Sequence, residues 1–209
     1  MKLLGKHTSI NVRKLLWLCD ELGLQPEIEE WGSGHRDPQR PEFLALNPNG
    51  LVPVWQDEHG TLWESNTICR YLAARAGRED LLPSAQTAPA ARARVEQWMD
   101  WQATELNSAW RGAFMGLVRH SPAHADPAAI ATSVAQWNRL MTLFDAQLQR
   151  SGGFAAGPVF TLADIVLGLS THRWFSTPMD RPALPAVAAY YAQLNTRAGF
   201  RAFGNNGVP

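Results

Sequence analysis

The chain has 209 residues, enough for two small domains or one larger one. Hydrophobic residues make up 45% and charged residues 18%, a balance that excludes a disordered polar chain. Nineteen Lys and Arg are matched by nineteen Asp and Glu, so no nucleic-acid footprint is expected, and no apolar run reaches the roughly 18 residues that would span a bilayer.

In chain order, residues 2–6 (KLLGK) predict a short strand and His7 to Ile10 a turn. A helix follows over about Asn11–Leu22, with Val12, Leu15, Leu16, Cys19 and Leu22 on one stripe and Gly23 placed to end it. Pro26–Trp31 is a second strand, so the chain opens β-α-β, the order that gives parallel pairing and a right-handed crossover. The polar loop 32–40 leads into a short helix at Pro41–Leu44, with Pro41 in its first turn. Asn47-Pro48-Asn49-Gly50 is a turn, Leu51–Trp55 an apolar strand with Pro53 inside it, and Asp57 to Gly60 a hairpin connection into Thr61–Trp63. A proline in a strand-like run belongs at an edge, a bulge or a cis bond. Ser65 is the expected N-cap of the next helix, with Ile68, Tyr71 and Leu72 on one side.

Residues 77–88, with Gly77, Pro83 and Ser84, lack a sustained period and read as a linker. Beyond it every element is helical. One long helix covers about Ala91–Val118 and a second about Pro127–Arg150, the latter with apolar residues spaced alternately by four and three. Phe160-Thr161-Leu162-Ala163-Asp164-Ile165 has the form of a capping box with a hydrophobic staple, opening a buried helix over Leu162–Trp174. Pro185–Leu194 is the last helix, and residues 198–209 are expected to form a partly ordered tail. The domains expected are therefore 1–76, the linker 77–88 and 89–209.

Two cysteines, Cys19 and Cys69, fall inside helices and read as small buried apolar residues rather than a disulfide. The six histidines make no metal set, since Pro122 interrupts the pair His120 and His124. The opening MKLLGKHTS reads as a strand rather than a signal peptide, which makes the cytoplasm the expected compartment.

The stretch Asn47–Leu72 has the spacing NP-x-G-x-VP-x₁₀-ES-x₂-I-x₂-YL. This pattern resembles the glutathione-binding half of the cytosolic glutathione S-transferase family, its bacterial theta- and beta-like members with a Ser/Asn-type site. The resemblance implies an α+β two-domain fold: a thioredoxin-like βαβ-ββα N-terminal domain followed by an all-α helical bundle. It also implies that Val52 and a cis Pro53 offer backbone groups to the cysteinyl part of glutathione, and that Glu64 and Ser65 hold its γ-glutamyl end. T-x-A-D-I at 161–165 is similar to the family's buried capping motif. Family members are dimers, so a homodimer is implied, and Asp100 stands where an acid reaches the partner subunit's glutathione.

A thiol near pKa ~8.5 is mostly protonated at neutral pH and needs help to become a nucleophile. One hydroxyl or amide donor at a helix start suffices, and Thr8, Ser9 and Asn11 all lie there. By the resemblance, a serine four residues before a first-helix arginine (Arg13) is Ser9, the principal candidate, followed by Asn11 and then Thr8. His35, Arg36, Gln39 and Arg40 are within reach for the glycine carboxylate. Trp110, Arg111, Phe114 and Met115, with Trp174 and Phe175, could wall a pocket for a small apolar electrophile. Glutathione is thus the implied co-substrate, with no metal. Two further readings share this fold: a glutathione-dependent disulfide reductase or peroxidase, and a non-enzymatic binding or assembly module.

Overall fold

A computed structural model describes residues 1–209. Its first part is a four-stranded sheet in the order β2-β1-β3-β4. Strand β1 (Lys2–Leu4) pairs in parallel with β2 (Glu27–Glu29) and antiparallel with β3 (Val54–Asp57), which forms a hairpin with β4 (Gly60–Trp63). The parallel pair is joined through helix α1 (Ile10–Leu22), the β-α-β order that the sequence implies. α2 (Pro41–Leu44) and α3 (Ser65–Arg75) complete a thioredoxin-like unit.

Several boundaries differ from the sequence-based expectation, β2 being shorter than Pro26–Trp31 for example, and three of them bear on the site. β1 stops at Leu4, because Gly5 at φ 155° leaves the strand. Pro53 lies just before β3 rather than inside it, so the ladder keeps every donor it needs. Glu64, not Ser65, is the residue at the start of α3; Ser65 is its first helical residue.

The second part is helical. α4 (Pro89–Trp101) and α5 (Asn107–Leu117) are the expected long helix, interrupted by a π-helical turn at Gln102–Leu106. The interruption has a tertiary cause. Gln102 is buried, its Oε1 accepts from Lys14 Nζ at 3.2 Å, and its Nε2 donates to Ser170 Oγ at 3.0 Å and Asn107 Oδ1 at 2.7 Å. α6 (Pro127–Ser151), α7 (Leu162–Ser176) and α8 (Pro185–Leu194) follow. At the start of α7 the buried Asp164 carboxylate accepts from Thr161 N–H and Ala155 N–H, both at 2.8 Å, and from Thr161 Oγ1 at 3.1 Å. Burial pushes that carboxyl up to about 6, against the pull of those donors.

α1 is buried along most of its length, because α3, α7 and the segment Phe200–Gly204 all pack against it. One apolar core therefore runs from Leu3 in the sheet through Trp17 and Trp137 to Phe200. Gly168 lets α7 approach α1 closely: a Cβ there would lie 3.1 Å from the Trp17 ring and 2.7 Å from Leu194 Cδ1. The terminal segment is not a loose tail. Buried Arg13 donates to the carbonyls of Phe203 (2.7 Å), Gly204 (2.8 Å) and Val208 (2.6 Å) and fastens it to α1. No helix is long and apolar enough to cross a membrane.

Candidate active site

A cavity of about 900 Å³ opens where the sheet unit meets α5 and α7. Its sheet-side wall comes from Lys6 and Thr8–Asn11, from Gly32, Ser33 and Pro38 in the loop after β2, and from Gly50–Val52 before β3. The opposite wall holds Ala103, Asn107 and Ser108 at and after the π turn, then Trp110, Arg111, Phe114, Met115 and Arg119, with Arg173 from α7.

Ser9 is the residue before α1, in extended conformation (φ −77°, ψ 125°), and its carbonyl accepts from Arg13 N–H at 2.9 Å. Its side chain makes no capping bond, so the hydroxyl is not consumed by the helix it precedes. Asn11, the next candidate, accepts at Oδ1 from Ser65 Oγ at 3.3 Å. That bond assigns the amide oxygen inward and leaves the Nδ2 donors for the cavity that Asn11 lines. Thr8 is exposed on the same wall.

Beneath this wall lies a charge. Lys14 is 2% exposed, and its ammonium donates to Ser65 Oγ (3.4 Å), Asn66 Oδ1 (3.1 Å) and Gln102 Oε1 (3.2 Å), all neutral oxygens. Burial lowers its pKa to about 8, with Arg173 and Arg70 adding to the fall and Cys69 and Glu64 opposing it. Buried cations normally have an anionic partner. Here the ammonium instead fixes Ser65 and, through Ser65, Asn11.

The turn before β3 is held by buried Asn47, whose Nδ2 donates to the Leu51 carbonyl at 2.7 Å. The Val52–Pro53 bond is cis, as the sequence pattern implies; Val52 lines the cavity, whereas Pro53 is buried behind it. Glu64 is exposed and sits at φ 70°, a region that L residues rarely occupy. Holding a non-glycine residue there costs about 1–3 kcal/mol, and such strain concentrates at functional positions.

A model of the glutathione S-transferase N-terminal domain matches residues 8–75. Glutathione S-transferase GstB of Escherichia coli K12 is 38% identical over 203 residues, covering 94% of this chain and 94% of that protein. Glutathione S-transferase 3 of Zea mays is 32% identical over 209 residues, covering 96% of this chain and 91% of its own. The fold superposes with a TM-score of 0.91 on a theta class glutathione S-transferase from Xanthomonas axonopodis pv. citri with glutathione bound. That structure is 38% identical, with 100% of this chain and 98% of the other covered.

The chain belongs to the glutathione S-transferase family.

Not every residue expected in a glutathione S-transferase site converges on the cavity. His35 faces Glu30 at 3.2 Å, Arg36 is bonded to Glu29 and lies over the Trp31 ring, and Arg40 faces Glu42 at 3.6 Å. All three face local carboxylates, and none lines the cavity. Gln39 Nε2 reaches the Gly50 carbonyl at 3.4 Å and supports the turn from behind. Lys6 is the cation actually on that wall, with Nζ donating to the Ser33 carbonyl at 3.1 Å. Ser65 is buried under the wall, beside Asn11. Asp100 is bonded to Arg70 of its own chain.

On the other wall Trp110, Arg111, Phe114 and Met115 face the cavity, while Trp174 and Phe175 do not. Trp174 is 1% exposed and donates to Asn138 Oδ1 at 2.9 Å, and Phe175 packs on Tyr191 with ring centroids 4.9 Å apart. α7 contributes Arg173 instead. Its signal was in the sequence: an arginine inside a largely apolar helix, with no acid three or four residues to either side.

Proposed function

We propose that this protein is a glutathione transferase in which Ser9 donates to the glutathione sulfur and stabilises the thiolate for attack on an electrophile lying against Trp110, Phe114 and Met115. Asn11 is the second donor, and Thr8 the third. The observation that carries this reading is the Ser9 hydroxyl, on the cavity wall at the opening of α1 and unused as a cap. Lowering a thiol pKa by about two units requires roughly 2.7 kcal/mol of preference for the anion. A hydrogen bond to a charged acceptor supplies about 1.5–3 kcal/mol and a helix N-terminus about 0.3–1 kcal/mol, so no general base is needed.

In this reading the backbone of Val52 aligns the cysteinyl residue, and Glu64 with the α3 N-terminus receives the γ-glutamyl end. Lys6 takes the glycine carboxylate in place of His35, Arg36 and Arg40. The sulfur attacks, one bond to the leaving group breaks, and the thiol proton passes to solvent. The test is turnover of an aromatic chloride with glutathione in Ser9→Ala and Asn11→Ala. Ser9→Ala is expected to lose about 10–100-fold in kcat/KM while still binding glutathione. Unchanged turnover would reject Ser9, and faster turnover of a mixed disulfide than of the chloride would favour the reductase reading.

A further inference from the structure

Every ionisable side chain on the cavity wall is a cation: Lys6, Arg111, Arg119 and Arg173 are there, and no Asp or Glu is. Several arginines elsewhere in the fold have carboxylate partners, as Arg36 has Glu29, Arg70 has Asp100, Arg75 has Asp57, Arg78 has Asp80 and Arg197 has Glu21, and buried Arg13 is satisfied by three main-chain carbonyls. Arg173 has no such set. It is 3% exposed, its Nε has no hydrogen-bond partner, and its one polar contact is a long 3.5 Å bond from Nη2 to the main-chain oxygen of Pro209.

The guanidinium instead packs in the angle between two nearly perpendicular rings, 4.4 Å from the Trp110 centroid and 4.1 Å from that of Phe114, with Arg119 5.4 Å from Phe114. A buried cation among other cations is unfavourable until an anion arrives. Burial and the nearby Arg13 and Arg119 all oppose its charge. The aromatic faces and the uncompensated guanidinium thus offer one site for a molecule that is flat or apolar at one end and anionic at the other.

We propose that the electrophile is an organic anion, an apolar or aromatic body carrying the leaving group and a carboxylate that Arg173, Arg119 and Arg111 receive. This rests on the glutathione-transferase reading and narrows its substrate class. In the reaction with an aryl chloride, the thiolate forms the C–S bond, the C–Cl bond breaks, and chloride leaves with both electrons. The thiol proton has already gone to solvent, and the carboxylate is unchanged.

The experiment compares 4-chloro-3-nitrobenzoate with its uncharged amide, each rate divided by its own uncatalysed rate with glutathione. The wild-type protein is expected to favour the benzoate by about tenfold or more in kcat/KM. Arg119→Gln and Arg111→Gln, at exposed positions that do not threaten folding, are expected to reduce that ratio by several-fold each, through the KM for the benzoate. Arg173→Gln, checked for an unchanged circular dichroism spectrum, should abolish the preference. Equal handling of benzoate and amide would overturn the proposal while leaving the transferase reading intact. So would variants that raise the KM for glutathione with both substrates, since the arginines would then serve the tripeptide. Failure to bind glutathione at all would overturn both readings together.

Discussion

Lys14→Met tests the link between packing and the cavity wall that carries Asn11. Lys14 is enclosed, with three neutral oxygens as its only partners. A fall from the ordinary 10.5 to about 8 corresponds to roughly 3 kcal/mol disfavouring the charged form in the folded protein. The native pKa lies below the unfolded one, so the unfolded chain holds this proton more tightly. Below about pH 8 both states are protonated and the full penalty is present. As pH rises toward 10.5 the native state releases the proton first, and the penalty is relieved.

Methionine removes both the penalty and three hydrogen bonds worth about 0.5–1.5 kcal/mol each, so at neutral pH the two effects nearly cancel. The pH dependence does not cancel. Urea denaturation of both proteins should show the wild type gaining about 2–3 kcal/mol on the variant between about pH 7 and pH 10. The same variant should raise the KM for glutathione, since Ser65 and Asn11 lose the group that fixes them. A stability difference constant over that range would refute the buried, unpaired ammonium.

Glu64→Gly should be as stable as the wild type, or more stable by about 1 kcal/mol in thermal unfolding, because glycine accepts the backbone that Glu64 strains to adopt. Its KM for glutathione should nevertheless rise several-fold; an unchanged KM would remove Glu64 from the site. Thr161→Ala should lower stability by about 1 kcal/mol. Asp164→Ala should cost roughly 3 kcal/mol in the same denaturant titration, because the Ala155 and Thr161 N–H groups are then buried without an acceptor. Equal losses for the two would contradict the carboxylate's role as the shared acceptor. Gly168→Ala should destabilise by about 1–3 kcal/mol, since its methyl group would press on Trp17 and Leu194 where the helices meet.

The fold was legible because local signals agreed with one another. The stripe of α1 ends at Gly23, which adopts the left-handed conformation (φ 67°) that the helix stop requires. The T-x-A-D-I stretch forms its acceptor half around Asp164, and α8 spans the residues that the pattern marks. What was not legible depends on distant partners. The π turn in the long helix follows from Gln102 meeting Lys14 and Ser170, residues 88 and 68 positions away. The docked chain end follows from Arg13, which spacing alone marks only as a helix residue.

The site divides in the same way. Ser9, Asn11 and Val52 are brought to the cavity by local turns that short motifs encode. His35, Arg36 and Arg40 are close in sequence to the cavity loop but lie off its wall, facing Glu30, Glu29 and Glu42, two of them in or beside β2. Trp174 and Arg173 are adjacent in sequence and both buried, yet the rotation of α7 turns one toward Asn138 and the other toward Trp110 and the cavity. Sequence patterning marks such a helix as buried all round and does not say which face meets a cleft.

The most direct test of the central claim is a pH titration of the ultraviolet thiolate absorbance of glutathione bound to the wild-type protein and to Ser9→Ala and Asn11→Ala. Ionisation of the bound thiol should fall about two units below the free value of ~8.5 in the wild type and return most of the way in Ser9→Ala. A bound thiol that titrates like the free tripeptide, or one unaffected by both substitutions, would contradict activation by a donor at the start of α1.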